Sequence, residues 1–167
     1  ASMLDPGPPP TRIQLHPAAP EKAAKKLNKQ VIVALPQAER DIDSDGIALL
    51  FNGREIRYLS GVRWTTTVPM MVQRDLIDAL IISEGLRGVA DEAAGISSNA
   101  KILCDIKQFS LRYESETAPP TAWFVATFRI VDQNNGRVLD SKAIDITVPA
   151  FSTETAALVQ ACETALS

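Results

Sequence analysis

The chain has 167 residues, 46% of them hydrophobic and 22% charged, with a formal net charge of −3 at pH 7. That length suffices for one domain with a substantial core, and the composition excludes an intrinsically disordered chain. The sequence has no basic stripe interleaved with aromatics, as a nucleic-acid surface requires, and no apolar run near the roughly 20 residues of a membrane-spanning helix.

Residues 1–29 read as a flexible, proline-rich tether, with Ala1-Ser2-Met3 a possible cloning scar, and residues 30–167 as a single domain. Six of the eleven prolines fall within residues 4–20, which show no hydrophobic periodicity. Such a stretch is extended and polyproline-like, and with no stripe to bury it is expected to add little to stability. Residues 30–35 form a continuous apolar run ended by Pro36, which suits a strand covered on both faces. Residues 39–46 alternate charges and aspartates and read as a solvated surface loop.

The clearest local signal is Asn52-Gly53 between residues 47–51 and 54–59, a type I′ hairpin turn in which both central residues take positive φ. After the second strand comes a short turn carrying Trp64, then a helix opened by Pro69, whose missing N–H costs nothing in a first turn. Val72, Leu76, Ala79, Leu80 and Ser83 lie at helical spacing, with Arg74, Asp75 and Asp78 left for solvent. Residues 86–90 read as a short edge strand.

Residues 100–113 form a long strand whose apolar parity changes. Ile102, Cys104 and Ile106 alternate, and then Phe109, Leu111 and Tyr113 take the other parity, which places a bulge near Lys107-Gln108. Residues 121–131 and 138–148 alternate well and return antiparallel across the turn at residues 132–136. Ser152 caps a last helix with the stripe Ala157, Leu158, Ala161, Cys162 and Ala165. The expected fold is α+β: a mostly antiparallel sheet with two main helices packed on it as a two-layer sandwich.

Catalytic chemistry is sparse. The only histidine, His16, sits in the proline-rich tether, where no scaffold orients it, so histidine-dependent acid–base or triad catalysis is not expected. Cys104 and Cys162 both occupy apolar core patterns and read as free buried thiols, with a disulfide between them as the alternative. Asp41, Asp43, Asp45 and Gly46 resemble a calcium loop, but its twelfth position is Asn52 instead of glutamate, so no metal site is assigned. No nucleotide-binding or nucleophile-elbow pattern occurs, and no catalytic residue or cofactor is assigned.

Tyr58, Arg63, Trp64, Met70 and Met71 form the candidate partner-binding set. Aromatics, methionine and arginine are enriched at interfaces, and a helix anchored by proline presents its neighbours rigidly. Trp64 carries two readings: a contact residue whose loss weakens association, or a core residue that sets how the chain enters the helix.

The order Gly46-Ile47, Glu55-Ile56-Arg57-Tyr58, Arg63-Trp64 and Val68-Pro69, then the helix through Leu76, Leu80 and Ser83, resembles the ABC-type transport auxiliary lipoproteins. These include the third component of the paraquat-inducible lipid-transport system. The resemblance spans roughly residues 31–166 and includes the later strands and the alanine-rich last helix. It implies a periplasmic domain tethered to the outer membrane by an N-terminal lipid. It also implies partnership with an MCE-domain protein and an ABC permease and ATPase that move phospholipid-like cargo. The lipid-bearing cysteine implied at the mature N-terminus is absent from the sequence, as expected of a chain cut downstream of its anchor, and residues 4–20 would be the spacer. A homo-oligomer is a further expectation. The alternative function is a soluble peptide- or ligand-binding module without a transport role, with a small hydrolase a distant third.

Overall fold

The change of apolar parity between Ile106 and Phe109 marks the strand on which the rest of the sheet hangs. In the computed structural model, which describes residues 9–14, 27–95, 97–115 and 117–150, residues Ala100–Tyr113 run unbroken as one strand. In chain order the elements are β1 (Thr11–Ile13), β2 (Leu27–Val33), β3 (Gln37–Ala38), β4 (Gly46–Phe51), β5 (Glu55–Trp64), α1 (Val68–Ser83), β6 (Leu86–Ala90), β7 (Ala100–Tyr113), β8 (Thr121–Asp132) and β9 (Val138–Pro149).

All nine strands belong to one sheet. β8 pairs antiparallel with β7 along nearly its whole length, and β9 continues antiparallel on β8. The other edge of β7 is shared in succession by three parallel strands: β2 at residues 100–102, β3 at 105–106 and β4 at 110–113. One strand serves three neighbours because each pairs with only a short stretch of it. The β7–β8 register shifts between Ile106 and Gln108, where the sequence places the bulge, and the extra residue returns Phe109, Leu111 and Tyr113 to the face of Cys104 and Ile106.

The expectation of a mostly antiparallel sheet carrying two main helices is corrected. β2–β6 and β1–β5 are parallel, as are all three pairings on the second edge of β7, so the sheet is mixed. Among the described residues α1 is the single α-helix. The helix expected after Ser152, and with it Cys162, lies outside the described residues. Parallel neighbours are joined by long connections and leave no turn signature, so local patterning read only the hairpins.

In β5 Gly61 adopts φ +73° where the β4–β5 register shifts, and the last residues of the strand receive β1 as a parallel neighbour. Part of the segment read as a tether is therefore built into the sheet. The β4–β5 turn has the expected form: Asn52 and Gly53 take φ of +54° and +71°, and the Arg54 N–H donates to the Phe51 carbonyl at 3.0 Å.

Helix α1 docks through its first turn, where Val68, Pro69, Met71 and Val72 are buried. Of these, Val68, Met71 and Val72 join Trp64, Phe109, Phe124, Leu111 and Ile106 in the main core. Further along, the Gln73 amide donates to the Val33 carbonyl at 3.0 Å and holds the helix to β2. Glu84 ends α1 in the left-handed conformation, its N–H bonded to the Ile81 carbonyl.

Cys104 is a free thiol buried in the core, where desolvation and then the negative charge of Asp105 push its pKa up to about 12. At neutral pH it is protonated and shielded. In a Cys162→Ser background, the native chain is expected to give no reaction with a thiol-specific dye, and one equivalent after denaturation. Labelling of the native chain at a rate like that of the denatured chain would contradict this placement.

Candidate functional site: the loop at the mouth of α1

The aspartate-bearing loop between β3 and β4 closes over the junction of β5 and α1. It is folded on itself, with the Ile42 and Asp43 N–H groups donating to the Glu39 carbonyl at 2.9 and 2.8 Å. Its far end meets the backbone of the junction. The Trp64 N–H donates to the Asp45 carbonyl at 2.8 Å, and the Val68 N–H to the Ser44 carbonyl at 2.9 Å. Val68 is the first helical residue, and Thr67 makes no side-chain cap, so the loop carbonyl satisfies a donor the helix itself leaves open.

Asp45 forms the electrostatic centre of this junction. Its carboxylate pairs with Arg12 of β1 and, at 2.9 Å, with Arg63 of β5. The Arg12 guanidinium also donates to the Trp64 carbonyl at 3.1 Å, and the Thr65 N–H donates to the Ile13 carbonyl at 2.9 Å. Four segments, β1, the 39–46 loop, the end of β5 and the start of α1, are thereby joined around one carboxylate. The hydrogen bond from Arg12 holds the Asp45 pKa below the ordinary carboxylate range against partial desolvation, with Arg63 adding to the effect.

A carboxyl whose pKa is lowered on folding contributes stability above its unfolded pKa and loses it as pH falls through the folded value. Asp45→Asn is therefore expected to narrow the gap between melting temperatures measured at about pH 7 and about pH 3, lowering the first more than the second. Removing residues 1–14, and with them β1 and Arg12, is expected to lower the neutral-pH melting temperature by a few degrees, of the order that about 1 kcal/mol produces in a domain of this size. A truncated chain that melts with the full one would show that β1 is not held.

The five residues singled out from the sequence divide between surface and interior. Tyr58 and Met70 are 48% and 50% exposed, and Arg63 is exposed beside Asp45. Trp64 and Met71 are buried at 2% and 0%. Trp64 stacks on Phe109 with ring centroids 5.8 Å apart, and Phe109 meets Phe124 edge-on at 5.8 Å. Tyr58 lies across Gly46, and its hydroxyl donates to the Asp41 carbonyl at 2.7 Å. Trp64 and Met71 thus belong to the interior, while Tyr58, Arg63 and Met70 face solvent. The indole N–H of Trp64 is buried without a hydrogen-bond partner among the described residues.

Sequence reasoning missed Arg12 and Asp45. The first lay inside an apparent tether, the second in a loop read as solvated, and their separation of 33 positions leaves no local signal. No group of three or more histidine, cysteine, aspartate or glutamate side chains fit to hold a metal occurs among the described residues. Asp41 meets the site through its backbone, and Asp45 is neutralised by arginine.

The fold and this junction define a predominantly β domain in which the 39–46 loop is pinned by exposed Tyr58 and Arg63. The family model for the ABC-type transport auxiliary lipoprotein component matches residues 14–167, and the chain belongs to that family. It is similar to a protein of Xanthomonas campestris known by its crystal structure, at 26% identity and a TM-score of 0.86, covering 93% of this chain and 87% of that one. A second crystal structure, of an uncharacterised protein, is 12% identical with a TM-score of 0.72 over 93% of this chain and 90% of that one, a likeness of fold alone. No curated protein matches the chain.

Proposed function

We propose that the chain is a non-enzymatic docking component of an ABC-type envelope lipid transporter, working in the periplasm from an N-terminal lipid anchor in the outer membrane. In this reading Tyr58, Arg63 and Met70 meet an MCE-domain protein of the same system, which is joined in turn to the permease and ATPase. Residues ahead of β1 lead from the anchor to the domain.

Family membership supports the transport role. The observation that carries the docking role is the rigidity of the junction. Tyr58 and Arg63 are exposed, yet each is fixed to the 39–46 loop, by a hydroxyl bond to Asp41 and an ion pair to Asp45. Side chains ordered before contact lose little conformational freedom on binding, and tyrosine and arginine are the residue types that anchor interfaces.

The test is recovery of transporter components with the tagged, membrane-anchored chain from detergent-solubilised envelopes. The wild-type chain is expected to retain the MCE-domain protein. Tyr58→Ser and Arg63→Ala are expected to reduce the yield at least several-fold while remaining folded by circular dichroism. Undiminished recovery with both variants, or recovery of no transporter component by the wild type, would overturn the reading.

A further inference from the structure

Only the first turn of α1 is deeply buried, and the way the rest meets solvent is regular. The exposed residues of the helix are Met70, Arg74, Asp78, Ile81 and Ile82. Four of these, Met70, Arg74, Asp78 and Ile82, are spaced four apart and form a single ridge along the outer side. Ile81 flanks the ridge at its far end and is 55% exposed. The side chains of Arg74 and Asp78 enter no ion pair or hydrogen bond among the described residues.

The order along the ridge is apolar, positive, negative, apolar. Read backwards it is apolar, negative, positive, apolar, which is its own complement. Two such ridges laid antiparallel about position 76 bring Arg74 of each helix opposite Asp78 of the other. The same operation sets Met70 of each opposite Ile82 of the other. Packing i±4 ridges of one helix into the matching grooves of another is also the commonest helix–helix geometry, with a crossing near −50°. A two-fold axis requires a surface patch complementary to itself, and this ridge meets that requirement in both charge and hydrophobicity.

We infer that α1 is an interface between two copies of this chain, closed by two symmetry-related Arg74–Asp78 pairs with Met70, Ile81 and Ile82 as the apolar contacts around them. A lipid surface accounts for this face less well, since it would meet a charged pair in the middle of the exposed ridge. The inference does not need the transporter reading: its charged pairs use Arg74 and Asp78, which lie outside the Tyr58 and Arg63 surface, and Met70, which both readings use, is left in place in every charge variant tested.

The experiment is sedimentation velocity of the purified chain across a hundredfold range of concentration. The wild type is expected to show a concentration-dependent monomer–dimer equilibrium. Arg74→Asp opposes two aspartates, and Asp78→Arg opposes two arginines, so each is expected to raise the dissociation constant at least tenfold. Together the two substitutions restore opposite charges and are expected to return the constant to within a few-fold of the wild type. All three variants should melt near the wild type, because the side chains exchanged are exposed.

A wild type that stays monomeric throughout would overturn the proposal, as would a dimer indifferent to both single substitutions or a double variant no better than the single ones. Co-sedimentation of a monomer with phosphatidylethanolamine–phosphatidylglycerol vesicles, lost in Ile82→Ser, would assign the face to lipid instead and equally overturn it.

Discussion

Replacing Trp64 with alanine is expected to cost about 3–5 kcal/mol of folding stability, the range for truncating a large buried aromatic. The indole is 2% exposed and stacked on Phe109, and Phe109 in turn packs on Phe124, so its removal opens a cavity at the centre of the main cluster. One effect opposes this. The buried indole N–H has no partner among the described residues, and removing an unsatisfied donor relieves about 1–3 kcal/mol. The lost packing outweighs that relief, and the net change belongs nearer the lower end of the range. Trp64→Phe separates the two effects, since it keeps an aromatic against Phe109 while removing the orphan donor, and it should cost markedly less than alanine. Urea denaturation of the two variants supplies the measurement. An alanine variant as stable as the wild type, with reduced partner recovery alone, would return Trp64 to the contact role that the sequence also allowed.

Gly46→Ala is expected to destabilise the chain by about 1–3 kcal/mol, the usual cost of forcing atoms into a filled site. Gly46 does not have a positive φ, so backbone strain is not the cause. A Cβ built there would lie 2.6 Å from Cδ1 of the Tyr58 ring, closer than real contacts permit. The ring cannot swing aside freely, because its hydroxyl is bonded to the Asp41 carbonyl at 2.7 Å. The added methyl must break that bond or move the 39–46 loop, and through the loop it reaches the Asp45 pairs and the first turn of α1. The interaction should therefore show in a double-mutant cycle, with Gly46→Ala nearly neutral once Tyr58 is serine. A large cost that persists in the serine background would mean that the methyl collides with something other than the tyrosine.

What the sequence disclosed and what it withheld follow from how far apart the interacting residues lie. The Asn52-Gly53 turn, the Pro69 helix start, the Leu86–Ala90 edge strand and the bulge after Ile106 depend on a few neighbouring residues, and all were readable. The parallel pairings of β7 with β2, β3 and β4 were not, because their register depends on contacts tens of residues distant with no turn between them. The same distance hid the Arg12–Asp45 pair, and with it the fact that part of an apparent tether is the strand β1. In the candidate site, aromatic, methionine and arginine content singled out residues that the structure divides between surface and interior. Alternation could not say which of these side chains face outward, since the β4–β5 register shifts around Gly61 and Trp64 ends the strand in the core.

The claim at the centre of this account is that the outward side chains at the end of β5 meet the transporter. Site-specific photocrosslinking in living cells tests it most directly, with a photoreactive residue placed in turn at positions 58 and 63, and at positions 138 and 139 on the exposed β8–β9 hairpin as the reference surface. The account predicts crosslinks from 58 and 63 to an MCE-domain protein of the same system and none from 138 and 139. Crosslinks to that protein from the hairpin alone, with 58 and 63 silent, would contradict it.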